Sequence, residues 1–190
     1  MTGRELFDRY EMIFKIAENC VNFLPVKIRK IWFIHLRKKD GRFAMLKRYV
    51  LIKTLAKRVG KNVAIFPDVY FENIEKLEIG SNVSIHQMCY IDAEGGIEIG
   101  DDVSVAHRST ILSSNHVYDD VDIPIKYQGM ILKRTILESN LWIGAGVSIM
   151  AGVHIASGCV IGAGSVVTHN IESNSIAVGN PARVLKERTK

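Results

Sequence analysis

Aliphatic residues return every sixth position in the C-terminal part of the chain, a spacing that fits neither a helix nor a flat strand. A helix repeats every 3.6 residues and a strand every two. In the segment "LWIGAGVSIMAGVHIASGCVIGAGSVV" (141–167), the repeated aliphatic positions are Ile143, Ile149, Ile155, Ile161 and Val167. This period predicts that each hexapeptide forms one short strand and one corner.

Three segments share this pattern without gaps: "EIGSNVSI" (78–85), "EIGDDVSV" (98–105) and "WIGAGVSI" (142–149). Three hexapeptides make one turn of a triangular coil, with one aliphatic residue per face stacked on its equivalent in the next coil. Ile79 and Ile99 are too far apart for three hexapeptides, so we expect a two-residue slip near 94–96. Smaller residues are expected to fill the corners, namely Val83, Cys89, Val103, Ser109, Val147, Val153 and Cys159.

The first 60 residues follow helical spacing instead. The apolar positions predict helices over 6–24, from 26 to about Gly41, and from 42 to Gly60. Pro25 limits the first helix, and Gly60 suits a C-terminal cap. The predicted organisation is a helical segment over 1–60 and a mainly β domain, a parallel β-helix, over 61–188.

Charge separates the two parts. Residues 1–60 carry 15 Lys/Arg and 5 Asp/Glu, whereas 61–190 carry 10 and 15. The basic helices are expected either to expose a solvated face or to make peripheral contact with an anionic membrane surface. No nucleic-acid-reading motif is present, so no specific nucleic-acid binding is expected.

Composition also suggests a location. No apolar run is long enough to span a bilayer, and the N-terminus lacks a signal-peptide layout. The expected location is therefore the cytoplasm, with the inner face of the membrane as an alternative. The three cysteines, Cys20, Cys89 and Cys159, are widely spaced and are interpreted as small buried thiols rather than a disulfide or zinc framework.

The hexapeptide pattern breaks in "HVYDDVDIPIKYQGMILKRTI" (116–136), which predicts a loop over about 117–136. Loops that leave a rigid scaffold often carry function. His116 stands at the root of this loop, and an imidazole can act as a general base near neutral pH. The alternative is a loop histidine that is hydrogen-bonded to the backbone.

The hexads, together with "SSNHVYDD" (113–120) and "AVGNPARVLK" (177–186), resemble the left-handed β-helix acyltransferase family. The resemblance is to sugar O-acetyltransferases of the maltose, galactoside and polysaccharide type. It implies a left-handed coil, a homotrimer and acetyl-CoA as co-substrate. It also implies a sugar or glycan acceptor, with a role in polysaccharide biosynthesis, and matches His116 to the catalytic histidine of direct acetyl transfer.

The same resemblance implies roles for further residues. Asp92 matches an aspartate that orients the acceptor hydroxyls, with a turn-capping aspartate before Gly95 and Gly96 as the alternative. Coenzyme A is expected to contact Trp142, Gly144, Ala145, Ala163, Thr168, His169, Arg183 and Lys186. Within this set, the Ala145 N–H would stabilise the oxyanion. His169 and Lys186 depart from the family's residues, and so does "KRTILESN" (133–140), which makes the return of the loop uncertain.

Three alternatives remain open. An N-acyltransferase acting on an amino sugar would keep the fold and the donor, whereas a non-catalytic trimeric β-helix would be a scaffold. A serine acetyltransferase fits less well, because such enzymes carry a larger helical N-terminal domain. The histidines also invite comparison with zinc-dependent carbonic anhydrases of this fold. Position 121, however, is Val121 where that pattern has a second histidine, so no metal is expected.

Overall fold

The computed structural model describes residues 10–189, so the first part of the first predicted helix lies outside the described residues. Three helices follow: α1 (Glu11–Asn22), α2 (Val26–Arg37) and α3 (Arg42–Leu55). α3 ends before the predicted stop at Gly60, because Arg58 and Val59 already form β1 and pair in parallel with Glu78 and Ile79. The first coil therefore begins immediately after the helical layer.

The remaining chain winds into a β-helix with three parallel faces, as the hexapeptide pattern predicts. The first face contains β1 (Arg58–Val59), β4 (Leu77–Ile79), β7 (Ile97–Ile99), β12 (Thr135–Leu137) and β15 (His154–Ile155). The second contains β2 (Ala64–Ile65), β5 (Ser84–Ile85), β8 (Ser104–Val105), β13 (Trp142–Ile143), β16 (Val160–Ile161), β18 (Ser175–Gly179) and the antiparallel β19 (Ala182–Glu187). The third contains β3 (Tyr70–Glu72), β6 (Tyr90–Asp92), β9 (Thr110–Leu112), β14 (Ser148–Ile149) and β17 (Val166–Val167).

The core is a column of inward-facing aliphatic side chains on each face. On the second face, Ile85 pairs in register with Val105, which pairs with Ile143, and all three are fully buried. All seven small corner residues predicted above are also buried. The predicted slip is confirmed, because Ile79 is in register with Ile99 while a turn over 93–96 takes up the extra length.

The helical layer closes the N-terminal end of this column. Leu51, Ile52 and Leu55 of α3 are buried in the same core as the first coil, and Ile52 is completely inaccessible. Burying one such side chain stabilises the fold by about 1.5–3 kcal/mol. The first 60 residues therefore include the cap that keeps solvent from the open end of the coil.

A buried arginine joins this cap to the coil. Arg48 is 1% exposed, and its Nε donates a hydrogen bond to the Ile65 carbonyl of β2 at 2.8 Å. Its Nη1 donates to the carbonyls of Leu36 and Lys39 at 2.9 and 2.6 Å, at the end of α2. Arg48 thus holds α2, α3 and the first coil together through three backbone carbonyls.

The predicted loop is an ordered arm. Its base is a hairpin in which β10 (Ser114–His116) pairs antiparallel with β11 (Met130–Leu132). The tip is held by Gln128, whose amide donates to the carbonyls of Asp120 and Ile123 at 2.7 and 2.6 Å and accepts from the Asp120 N–H. The interruption of the coil is therefore a defined element rather than a structureless insertion.

Two residues return the arm to the coil where the sequence left the geometry uncertain. The buried Thr135 hydroxyl donates to the Leu112 carbonyl at 2.6 Å and accepts from the Gly152 N–H at 3.0 Å. Arg134 bonds to both Glu78 and Glu98, which lie directly opposite each other on β4 and β7. Arg134 therefore offsets the repulsion between two adjacent carboxylates as it anchors the arm.

The prediction that all three cysteines are buried is wrong for Cys20, which is exposed on α1. Cys89 and Cys159 are fully buried and donate to the carbonyls of Ala106 and Glu172. Burial raises the pKa of the Cys89 thiol to about 11, since the charged thiolate is disfavoured in an apolar interior.

We expect a thiol reagent to modify Cys20 alone in the native protein at about pH 8, because only an exposed thiol can form the reactive thiolate. Urea should expose the other two thiols. Titration with the reagent, read by mass spectrometry of the intact chain, measures both stages. Rapid native labelling that persists in Cys20→Ser would contradict the assigned core.

We expect Thr135→Val to lower the free energy of unfolding by about 1–3 kcal/mol, because it leaves the Leu112 carbonyl and the Gly152 N–H without their buried partner. Urea denaturation measures the effect. Thr110→Val on β9 is the matched control, since Thr110 is half-buried and its hydroxyl makes no hydrogen bond within the described residues. The control should change stability by less than about 0.5 kcal/mol. Equal losses in the two variants would show that Thr135 does not pin the arm.

Candidate active site

His116 lies at the root of the arm, on the last residue of β10 opposite Met130 of β11. Its backbone N–H donates to the Asn115 side chain at 3.1 Å, whereas the ring makes no hydrogen bond or ion pair within residues 10–189. The residue is exposed. The imidazole therefore has both nitrogens available to an incoming substrate, and the alternative of a backbone-bonded ring has no support among the described contacts.

Asp92 is linked to this root by Ser114. One carboxylate oxygen of Asp92 accepts the Ser114 hydroxyl at 3.2 Å. The other accepts the Asn73 amide at 3.0 Å and the Glu94 N–H at 3.2 Å. The bond to Glu94 is the turn-capping contact anticipated as an alternative role. Three donors occupy a carboxylate that has about four acceptor positions, so about one position remains open.

Strand geometry relates Asp92 to His116. Side chains two positions apart on a strand point to the same face, so Ser114 and His116 share one face of β10. Because Ser114 contacts Asp92, the carboxylate and the imidazole lie on the same side of the hairpin base. Sequence reasoning did not identify Ser114 or Asn73, since neither carries a signal beyond a small polar residue near a turn.

Four of the predicted coenzyme A residues, Trp142, Gly144, Ala145 and Ala163, lie on the second face at β13 and at the corners after β13 and β16. Trp142 is 59% exposed, with its backbone in register between Ser104 and Val160. Gly144 follows, and a Cβ there would meet the Ala163 nitrogen at 2.6 Å. Only glycine allows the two coils to approach this closely. The corner therefore combines an exposed indole with closely spaced backbone.

The backbone N–H groups at this corner differ from those on the first face in their hydrogen bonding. On the first face, the N–H after each corner glycine donates to a side chain of the next coil: Ser81 to Asp101, and Asp101 to Ser139, at 2.6 and 3.0 Å. The N–H groups of Ala145 and Ala163 make no such bond within the described residues. Alanine side chains carry no acceptor, so these two amides remain available to the carbonyls of an extended ligand. Two free backbone N–H groups of this kind fit the pantetheine part of coenzyme A, which contains amide groups.

The remaining predicted contacts lie around the last coil. Arg183 and Lys186 are on β19, which extends the same face as Trp142 through β18. Thr168 and His169 follow β17 on the third face, and the Thr168 hydroxyl bonds to the His169 ring at 2.8 Å. The structure thus separates this pair from the corner at Ala163 by the length of one strand.

The other histidines have separate surroundings. His86 stacks on Phe66 with ring centroids 4.4 Å apart, and burial, with neighbouring His107, lowers its pKa. His154 contacts Glu138 at 2.7 Å, and hydrogen bonds from Ser157, with His154, lower the pKa of that carboxyl. Within the part of the chain described, no three His, Cys, Asp or Glu side chains converge in a way that could hold a metal.

Known proteins resemble this chain both in sequence and in fold. The family model described as bacterial transferase hexapeptide (six repeats) matches residues 134–169. A galactoside acetyltransferase solved in complex with coenzyme A is 30% identical, with a TM-score of 0.75 over 86% of this chain and 82% of that one. A maltose O-acetyltransferase from Clostridium difficile 630 is 27% identical, with a TM-score of 0.75 over 86% of each chain.

A more distant likeness is to AntD, an N-acyltransferase from Bacillus cereus solved as a mutant with dTDP-4-amino-4,6-dideoxyglucose and coenzyme A. It is 27% identical, with a TM-score of 0.60 over 75% of this chain and 90% of that one.

Two curated relatives match shorter segments. A probable acetyltransferase of Mycobacterium tuberculosis is 40% identical over 78 residues, 41% of this chain and 26% of that protein. A putative acetyltransferase of Saccharomyces cerevisiae is 33% identical over 71 residues, 37% of this chain and 36% of that protein. The matched segments thus span about a quarter and about a third of those proteins. Taken with the hexads, the coiled fold and the extent of the galactoside acetyltransferase match, these findings show that the chain belongs to the hexapeptide-repeat acyltransferase family.

Proposed function

We propose that this protein is an acetyl-CoA-dependent O-acetyltransferase that acts on a sugar hydroxyl, in cell-surface polysaccharide or its precursor. The observation that carries the proposal is His116, an exposed imidazole with no internal partner, held at the root of the one arm that leaves the described coil. The sugar acceptor is further supported by the names of the galactoside and maltose relatives.

In the proposed reaction, His116 takes the proton of the acceptor hydroxyl as its oxygen attacks the thioester carbonyl carbon. A C–O bond forms, the C–S bond breaks, and His116 returns the proton to the departing sulfur. No serine or cysteine nucleophile is needed. The Ala145 N–H, which has no partner within the described residues, would stabilise the negative charge that develops on the carbonyl oxygen.

The donor would lie along the corner after β13 and β16. Trp142 offers an apolar surface beside the thioester, and the Ala163 N–H can donate to an amide carbonyl of the pantetheine arm. Arg183 and Lys186 would meet phosphate at the nucleotide end, with Thr168 and His169 near the same last coil. Lysine gives a less directional phosphate contact than arginine. The nucleotide end of coenzyme A should therefore contribute less to the affinity than its pantetheine part.

Asp92 would combine the two roles anticipated from its sequence. Its bonds to Ser114, Asn73 and Glu94 fix the carboxylate, and the remaining acceptor position can take a sugar hydroxyl. A carboxylate already held by three donors needs little further ordering when substrate binds. Asp92 is therefore proposed as an acceptor-binding residue that also positions the base of the arm.

A homotrimer is the proposed assembly. All three residues of β11, Met130, Ile131 and Leu132, are exposed apolar side chains, and so are Val184 and Leu185 on β19. Exposed apolar side chains of this kind favour association, because burying them removes apolar surface from water. Sedimentation equilibrium measures this directly, and a monomer at micromolar concentration would exclude the assembly.

We expect His116→Ala to lower kcat by about 100-fold or more, which is the usual contribution of general base catalysis. The KM for acetyl-CoA should change little, since the proposed contact of the His116 ring is with the acceptor hydroxyl. Steady-state kinetics with a sugar acceptor measures both. His154→Ala is the matched control, because His154 lies on the first face and bonds to Glu138. A near-normal rate for His116→Ala would remove that residue from its role.

We expect Trp142→Ala to weaken coenzyme A binding about tenfold, because the variant removes the aromatic surface against the ligand. Isothermal titration calorimetry measures the affinity. Trp32→Ala removes the other tryptophan, which lies in the helical layer, and should leave the affinity unchanged. If the unmodified protein bound no coenzyme A, the scaffold alternative would be favoured.

The N-acyltransferase alternative keeps the same donor corner and is favoured by the likeness to AntD. An acceptor panel separates the two classes: simple sugars with hydroxyl groups only, and matched amino sugars. Mass spectrometry of the product locates the new acetyl group. Acetylation at nitrogen alone would replace the proposed reaction with the alternative.

A further inference from the structure

The outer side of the helical layer contains an apolar groove of about 560 Å³ between α1, α2 and α3. Its walls are apolar apart from His35 and Lys47. Large apolar side chains at the groove are exposed, with Phe43 at 82%, Ile13 at 59% and Trp32 at 49%. Exposed surface of this size and kind is typical of an interaction site.

The groove is not a by-product of the contact between the helices and the coil. Ile52 and Leu55 of α3 belong to the core shared with the coil and do not line the groove, whereas Leu51 of the same core also lines it. In α1, by contrast, no residue is buried, although the helix is strongly amphipathic. The apolar face of α1 therefore has an open side that the rest of the described chain does not cover.

The charges around the groove indicate the charge of the partner that it fits. In the helical layer, Lys15, Lys30, Lys53 and Lys57 form ion pairs with glutamates, and Arg29 and Arg48 are buried. Five further cations are exposed and form no ion pair within residues 10–189: Lys27, Lys38, Lys39, Arg42 and Lys47. The half-buried Arg37 also forms no ion pair there, but its guanidinium stacks on the Tyr70 ring, 3.7 Å from the ring centroid. The free charge of this surface is thus predominantly positive.

Four of these cations lie near Phe43 along the chain, in a stretch that also contains one carboxylate, Asp40. Lys38 and Lys39 lie in the connection just before α3, and Arg42 is the first residue of α3. Lys47 is one helical turn after Phe43, so the two side chains share a face, and Lys47 itself lines the groove. An apolar centre with a cationic rim complements a surface that offers hydrocarbon below a layer of negative charge.

We propose that this surface docks the protein on an anionic phospholipid bilayer. Phe43, Trp32 and Ile13 enter the boundary between headgroups and acyl chains, and the surrounding lysines and arginine meet lipid phosphates. The docking is peripheral, since none of the helices within residues 10–189 is long and apolar enough to cross a bilayer. The proposal rests on the helical layer alone and does not depend on the proposed enzymatic reaction.

Vesicle co-sedimentation tests the proposal with the full chain. The probes are vesicles of phosphatidylcholine alone and of phosphatidylcholine with 30 mol% phosphatidylglycerol. We expect pelleting with the anionic vesicles only, and release when NaCl is raised from 0.1 to 0.5 M, because salt screens the cations. Absence of binding to the anionic vesicles at 0.1 M NaCl would overturn the proposal.

Two variants and a matched control locate the surface. The triple variant Lys39→Gln, Arg42→Gln, Lys47→Gln should raise the lipid concentration for half-maximal binding roughly 100-fold. Phe43→Ser should raise it at least about tenfold. The control triple, Lys76→Gln, Lys126→Gln, Lys133→Gln, changes net charge equally but lies on the β-helix part, where all three residues are exposed. Equal losses in the two triples would show non-specific attraction and contradict the proposal.

Fluorescence separates the bilayer from a second copy of the chain as the occupant. In Trp142→Phe, Trp32 is the remaining tryptophan. Its emission should shift to the blue with anionic vesicles and be quenched by brominated acyl chains. Sedimentation velocity and circular dichroism of Phe43→Ser should match those of the unmodified protein. A change in oligomeric state, with no quenching by brominated lipid, would assign the groove to a second copy and overturn the proposal.

Discussion

The whole structure depends on the in-register stacking of inward-facing aliphatic side chains along three faces of the coil. Ile85, Val105 and Ile143 show the rule: each lies directly over its equivalent and none is accessible to water. Each coil buries its side chains only against its neighbours, so the register cannot slip at one position without exposing apolar surface there. The rigid outer faces that hold the site are a consequence of this column.

The same constraint explains the helical layer. A stacked column has an open end, and α3 closes it with Ile52 and its neighbours, while Arg48 joins the two parts through carbonyls of β2 and α2. Hexapeptide spacing predicted the coil, because the side-chain period directly reflects the geometry of one triangular side. It could not predict the cap, since a buried arginine that bonds only to backbone carbonyls leaves no partner residue in the sequence to detect.

The candidate site was also predictable only in part. The break in the pattern located the arm and His116, since both follow from where the repeat stops. Neither the return through Thr135 and Arg134 nor the link from Asp92 to Ser114 was predictable, because they join residues that are distant in sequence and have no periodic signal. The exposure of Cys20 was missed for a related reason. The apolar face of α1 is only partly covered, so a helical pattern alone overstated burial.

A difference between corners connects the coil to its proposed chemistry. Where the next coil supplies Asp101 or Ser139, each corner N–H is already bonded, and that corner contributes only to stability. Where the next coil supplies Ala163, the equivalent N–H of Ala145 keeps its donor for another molecule. Because a methyl group carries no acceptor, the Ala145 N–H stays free of a side-chain bond and can take the oxyanion role proposed for it. Within one coiled scaffold, therefore, the side chain that the next coil supplies decides whether a corner N–H is used for stability or remains free.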